Sequence, residues 1–168
     1  SFDIEAVSKS GNFPQGYKLE DKIIQIGITT HRQGENVPYE NCLINLGECE
    51  DIDGCNVIIC EDELDLLKKF ENYINKLGPD ILIGYNTFGF DWKFIKEKYD
   101  LHGSKPKMSK IIYENARYVE KKLSSSALGD NLLRFYEMSG IVQIDLFKSV
   151  NAEFNLESYK LDDVSSNF

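Results

Sequence analysis

An apolar run without alternation, Ile81-Leu82-Ile83-Gly84-Tyr85, limits the architectures open to this chain. Such a run predicts a strand buried on both faces, as in the middle of an α/β sheet. Asn86 then sits at its carboxyl end. Asp91 opens a helix with Trp92, Ile95 and Tyr99 on one stripe and Phe90 and Phe94 on another. Ligands of open α/β folds collect at the carboxyl ends of strands, which puts Asp91 where chemistry is done.

Strands are predicted before this run at Phe2–Val7, Lys22–Thr30, Asn41–Leu46 and Asn56–Cys60. A helix follows from about Glu61 to Leu77, with Leu64, Leu67, Phe70, Ile74 and Leu77 at helical spacing, and Gly78-Pro79 ends it. Ile141–Ile144 reads as a last short strand and Leu146–Phe154 as a helix. Ser158 is the expected N-cap of a terminal helix starting at Tyr159, which puts Tyr159 and Asp163 on one face and Leu161, Val164 and Phe168 nearly opposite. A β-rich start followed by β/α units gives a mixed sheet flanked by helices. Residues 103–140 look like an insertion: a lysine-rich loop, a helix near Ile111–Leu123 and the run Ser124-Ser125-Ser126. At 168 residues and 42% hydrophobic, the chain can bury one substantial core, so residues 1–168 are taken as a single domain.

Four acids in three separated clusters carry the chemistry: Asp3 and Glu5, Asp91, and Asp163. Alternation along the first strand sends Asp3 and Glu5 to one side and Phe2, Ile4 and Ala6 to the other, so one face is core and the other is free to bind metal. The set reads as a two-metal nuclease site, and a phenol four residues before Asp163, Tyr159, suits the orientation of an attacking water. All-oxygen ligands select Mg²⁺ or Mn²⁺. With 28 acidic residues in 168, any single carboxylate is ordinarily solvated surface. That plain reading is kept for Asp62, Glu63 and Asp65, which fill the first turn of a helix.

S-F-D-I-E, G-Y-N-x3-F-D and S-Y-K-L-x-D resemble the three exonuclease motifs of family B DNA polymerases. The likeness to delta-type replicative enzymes and polymerases of large DNA viruses is reinforced by G-N-F-P after the first motif and by S-S-S-A-L-G-D-N-L-L-R-F-Y-E-M-S-G before V-Q-I-D-L. It covers nearly the whole chain. It implies a ribonuclease H-like α/β fold and a proofreading 3′–5′ exonuclease of the DEDD type with a catalytic tyrosine. It also implies that Asp3 bridges two divalent ions, that Glu5 and Asp163 complete the nucleophile-side ion, that Asp91 holds the second ion, and that Tyr159 orients the water. Phe13, Asn86 and Phe90 become the candidate contacts to a frayed single-stranded 3′ end, the aromatics by stacking. Relatives commonly carry Gly-Arg-Val where this chain has Gly140-Ile141-Val142, so a basic contact is expected to be missing. Relatives also often place a β-hairpin near residues 103–140 that parts primer from template.

Net charge of −9 argues against a freestanding nucleic-acid binder, because such proteins gain affinity by neutralising phosphates. Lys93, Lys96, Lys98, Lys105, Lys107 and Lys110 form the only long basic-leaning stretch, a DNA-guiding rim or a solvated face. The ends of the sequence suggest a fragment whose partners are the remaining domains of a family B polymerase and the 3′ end of its primer. Cys42, Cys49, Cys55 and Cys60 lack a C-x2-C pair and read as reduced thiols rather than a zinc site. His31 and His102 are expected on the surface. Neither a membrane span nor a signal-peptide pattern is present, so an intracellular location is expected, in a nucleus or a host-cell replication compartment. Two other readings stand beside proofreading: an inactive nuclease-like scaffold within a polymerase, and an independent single-strand exonuclease.

Overall fold

The computed structural model of the chain describes residues 1–110, 115–125 and 129–167. Strand β1 (Phe2–Val7) pairs antiparallel with β2 (Lys22–Thr30), β2 antiparallel with β3 (Glu40–Leu46), and β3 parallel with β4 (Cys55–Cys60), giving the order β1-β2-β3-β4. Alternation is strict at the start of β1, where Phe2 and Ile4 are buried and Asp3 and Glu5 exposed. A register shift between Glu5 and Ala6 then bends the strand just past the acids.

Helix α1 (Glu63–Leu77) covers one face of this sheet with Leu66, Leu67, Phe70 and Ile74, all fully buried. It begins two residues later than the periodicity suggests because Asp62 takes the cap, its side chain accepting from Asp65 N at 2.8 Å. It ends at Gly78, whose left-handed φ of 55° lets its N–H reach Ile74 O at 2.9 Å. Glu63 is not the solvated first-turn acid expected. It is 2% exposed, accepts from Ile23 N at 2.9 Å, and faces Lys98 and His102 at 3.5 and 3.2 Å. His102 is accordingly only partly exposed, whereas His31 is exposed.

Strand β5 (Ile81–Gly84) leads through a tight turn into helix α2 (Asp91–Leu101). Burial on both faces of β5 is not what the structure has: Leu82 and Gly84 are buried but Ile81 is half exposed. The reason is the ladder, since Ile81 lies opposite Val142, which is also exposed, near the sheet's end. Phe2, Phe70 and Trp92 join the sheet to both helices, with Phe2 at 5.5 Å from Phe70 and 4.8 Å from Trp92, centroid to centroid. Truncating Phe2 to alanine should cost about 3–5 kcal/mol.

Residues 117–123 are strand rather than the expected helix, and residues 111–114 lie outside the described residues. Strands β6 (Arg117–Ser125) and β7 (Gly129–Glu137) form an antiparallel hairpin. Cross-strand pairing decides for strand: Tyr118 lies opposite Tyr136 with rings 5.3 Å apart, and Tyr136 meets Trp92 edge-on at 5.7 Å. Strand β8 (Val142–Asp145) pairs parallel with β5 and runs into helix α3 (Leu146–Glu153), and a five-residue helix α4 (Leu161–Ser165) closes the described chain. The architecture is a mixed α/β one, the mixed four-stranded sheet β1-β2-β3-β4 beside the two-stranded parallel ladder β5-β8 and the β6-β7 hairpin, flanked by helices. Among the described residues no helix is long and apolar enough to cross a membrane.

Candidate active site

Two carboxylates far apart in sequence are brought together by the close approach of β1 to the end of β5. A Cβ on Gly84 would stand 3.1 Å from Phe2 O and 2.1 Å from Thr87 Cγ2, so only glycine permits this contact. Asp91, carried at the first position of α2, reaches back across the gap and accepts from Ile4 N at 3.1 Å. Asp91 is 2% exposed, and its carboxyl is hydrogen-bonded to that of Asp3. Burial first, and the Asp3 charge second, push the Asp91 pKa up to about 7. Asp3 is raised as well, by desolvation, while its bond with Asp91 acts in the opposite sense. One proton shared between two acids is the arrangement of a pair that lacks a counter-charge. The oxygen-only donor set of Asp3 and Asp91 fits a hard divalent cation, whose charge would offset the repulsion within the pair.

Around this pair lies an open cleft of about 510 Å³ lined by Asp3, Glu5, Phe13, Pro14, Tyr85, Asn86, Gly89, Phe90 and Asp91, among others. Six of the eight residues singled out from the sequence therefore share one cavity: Asp3, Glu5, Phe13, Asn86, Phe90 and Asp91. Asn86 holds the left-handed φ of 61°, alone among the described non-glycine residues. Its carbonyl accepts from Gly89 N at 2.9 Å and Phe90 N at 3.0 Å, which turns the chain into α2. Phe13, largely exposed, stands edge-on to Phe90 at 5.4 Å, while Phe90 also touches Phe94 at 5.6 Å. The pair forms an aromatic rim with its inner ring anchored in the core.

Tyr159 and Asp163 are not among the lining residues. Helix α4 starts at Leu161 with Lys160 as its cap, so Tyr159 precedes the helix and the expected i, i+4 face does not form. Ser158 does not cap it either; its hydroxyl donates to Asp163 Oδ2 at 2.5 Å. The Tyr159 hydroxyl donates to Phe154 O at 2.8 Å and accepts from Leu156 N at 3.2 Å. Its carbonyl receives the Tyr85 hydroxyl at 2.5 Å, which ties this segment to the cleft wall. Phe168, expected on the buried stripe of this helix, lies outside the described residues. Among the described residues, no group of three or more histidines, cysteines, aspartates or glutamates is gathered closely enough to hold a metal ion.

One residue of consequence escaped the sequence reading. Asp145, 3% exposed, accepts from Asn86 N at 2.7 Å, Phe88 N at 2.9 Å and Phe147 N at 3.1 Å. Its signal was its place at the end of the Val142–Asp145 strand, in register with Gly84. In the lysine stretch Lys93 pairs with Glu97, Lys96 with Asp100 and Lys110 with Asp80, Lys98 is fully buried, and Lys105 and Lys107 are exposed.

Comparison with known proteins agrees with these features. Residues 1–164 match the family "DNA polymerase family B, exonuclease domain". The chain is similar to the DNA polymerase of Pyramimonas orientalis virus, 45% identical over 88% of this chain and 12% of that protein. It is similar to the DNA polymerase of Acanthamoeba polyphaga mimivirus, 34% identical over 99% of this chain and 14% of the relative. The DNA polymerase delta catalytic subunit of Oryza sativa subsp. japonica is 31% identical over the whole of this chain and 15% of its own length. The chain thus spans less than a sixth of each of these relatives. With a family match that runs from residue 1 to residue 164, nearly its full length, this chain belongs to the exonuclease domain family of family B DNA polymerases.

Proposed function

We propose that the cleft between β1 and α2 is a metal-dependent 3′–5′ exodeoxyribonuclease site that proofreads within a DNA polymerase, removing nucleotides from the frayed 3′ end of a primer. The observation that carries this reading is the buried Asp91 carboxyl, raised in pKa and sharing a hydrogen bond with Asp3 on the wall of an open cleft. Two negative groups held together without a cation are costly, and enzymes maintain such pairs where charge is to be bound.

Asp3, Glu5 and Asp91 would hold divalent cations, Mg²⁺ or Mn²⁺, with Asp163 completing the set. Bound there, the cations would supply Lewis acidity for activating water and for stabilising the leaving 3′ oxygen. The residues of the chain do the rest. Phe13 and Phe90 stack on the terminal bases, and Asn86 offers a polar contact beside them. The Tyr159 hydroxyl, once released from Phe154 O and Leu156 N, orients the water. Scission yields a nucleoside 5′-monophosphate. Paired bases cannot enter, because the phosphate reaches the carboxylates only when the end has melted, and that is what favours a mismatched terminus.

Net charge of −9 and ion-paired lysines support delivery of the DNA end by other polymerase domains rather than capture by this surface. Such delivery implies work in a replication compartment of the cell, a nucleus or a virus-infected cytoplasm. The test uses a single strand labelled at its 5′ end and, separately, at its 3′ end. Stepwise shortening of the 5′-labelled strand, immediate mononucleotide release from the 3′-labelled one, and silence in excess chelator are expected. Internal cuts, 5′ release or chelator-resistant activity would overturn the reading, and a complete lack of release in the full-length gene product would favour an inactive scaffold.

A further inference from the structure

Buried acids that bond only to backbone amides are uncommon, because a carboxylate taken from water must be satisfied on most of its lone pairs. Among the described residues, the hydrogen bonds that the Asp145 carboxylate accepts all come from backbone amides. One oxygen, Oδ1, accepts from Asn86 N and Phe147 N, and the other, Oδ2, accepts from Phe88 N. The first and last of these amides belong to the turn that carries Asn86 in its left-handed conformation and delivers Asp91 to the start of α2. The amide of Phe147 belongs to the first turn of α3, which Asp145 caps. Phe147 in turn stands edge-on to Tyr85 at 5.6 Å and to Tyr159 at 6.4 Å.

We propose that Asp145 is a positioning residue of the nuclease site, one carboxylate that fixes the Asn86–Asp91 turn and the start of the segment leading to Tyr159 relative to each other. This rests on the exonuclease reading above. The geometry has a chemical reason. A left-handed non-glycine residue is strained, and three amides pointing at one point need an anion rather than a carbonyl to hold them. The register of β5 with β8 sets Gly84 opposite Asp145, so the acid sits at the same level of the sheet as the turn it holds. Asp145 does not line the cleft, and its effect on the reaction is exerted through Asn86, Asp91 and Tyr159.

Two substitutions separate its duties in the full-length gene product. Asp145→Ser keeps a hydroxyl able to cap α3 but is too short to hold the turn. Asp145→Asn keeps one accepting oxygen and presents an amide to a backbone donor. The serine variant should lose amide-exchange protection within residues 84–92 and lower kcat for release from a single strand by roughly 10 to 10²-fold, as small misplacements of reacting groups do. KM should change less, and the asparagine variant should fall between it and the native protein. Ile74→Ala, a cavity in α1 away from the cleft, serves as a control matched for loss of melting temperature. If it reduces kcat equally, or if Asp145→Ser leaves kcat and local exchange unchanged, the positioning role is wrong. Should the serine variant fail to fold, local exchange and kcat of the asparagine variant decide in the same way. A native protein that releases no nucleotide removes the exonuclease reading and this role with it, whereas an active native protein with an indifferent Asp145 removes only the role.

Discussion

The two halves of the candidate site are built differently. Asp3 and Asp91 are fixed by the core: each follows or precedes a buried aromatic, Phe2 or Trp92, and those rings pack 4.8 Å apart. The side chains of Tyr159 and Asp163 hang from a short terminal segment and bond locally, to Phe154 O, Leu156 N and Ser158 Oγ, with the Tyr159 carbonyl tied to the cleft wall by the Tyr85 hydroxyl. A five-residue helix contributes one buried side chain, Val164, and little packing energy to resist rearrangement. Core packing can preassemble a pair of repelling acids, while a peripheral acid can satisfy itself locally until a cation offers more.

The comparison breaks most sharply at Asp3. Asp3→Ala should reduce nucleotide release by roughly 10³-fold or more, since the cation site is lost, yet leave the fold intact because a repelling charge is removed. Early melting with retained activity would make Asp3 structural. On the peripheral half, Tyr159→Phe should cost about 10 to 10³-fold by losing water orientation, and Asp163→Asn more than that. Equal and complete loss in the phenylalanine variant, with ion binding kept, would show that the tyrosine does more than orient.

A smaller effect lies in pH. The Asp91 pKa is raised on folding, so the folded protein binds more protons than the unfolded chain between pH 3.8 and about 7. Stability from this group therefore falls as pH rises through that window. Without divalent ions, the melting temperature of the native protein should drop across it relative to Asp91→Asn, and Mg²⁺ should diminish the difference. Parallel profiles for the two proteins would mean that the pair is not strained. The smallest change expected is at Ser158: alanine there frees Asp163 and should lower the Mg²⁺ concentration needed for half-maximal release by roughly 2- to 10-fold, the worth of one net hydrogen bond. A requirement for more metal would instead make Ser158 a support of the site.

The difference between the halves also explains what the sequence made legible. Period-two burial on Phe2 and Ile4 and helical spacing through Leu67, Phe70 and Ile74 are local patterns that the core enforces. The cleft acids on β1 and α2 were found for that reason. Helix α4 was misplaced because Ser158, a good cap by type, is bonded to a side chain instead of starting the helix. The hairpin β6–β7, to which the resemblance pointed, was not legible in the residues themselves because Tyr118, Tyr136 and Trp92 meet across three elements, which no local window contains. Glu63 and Asp145 were hidden for a related reason. An acid that pairs with distant amides or cations looks, in sequence, like any surface acid.

The central claim is that the Asp3–Asp91 cleft works through divalent cations and recruits Asp163. It is tested most directly by measuring release of 5′-mononucleotides from single-stranded DNA across a Mg²⁺ and Mn²⁺ titration, for the native protein, Asp3→Ala and Asp163→Asn. The account predicts no release in chelator, restoration in the native protein by either ion, a shift of Asp163→Asn to higher ion concentration, and no restoration of Asp3→Ala at any concentration. Native release that ignores the ions, or an Asp3→Ala variant that titrates like the native protein, would contradict it.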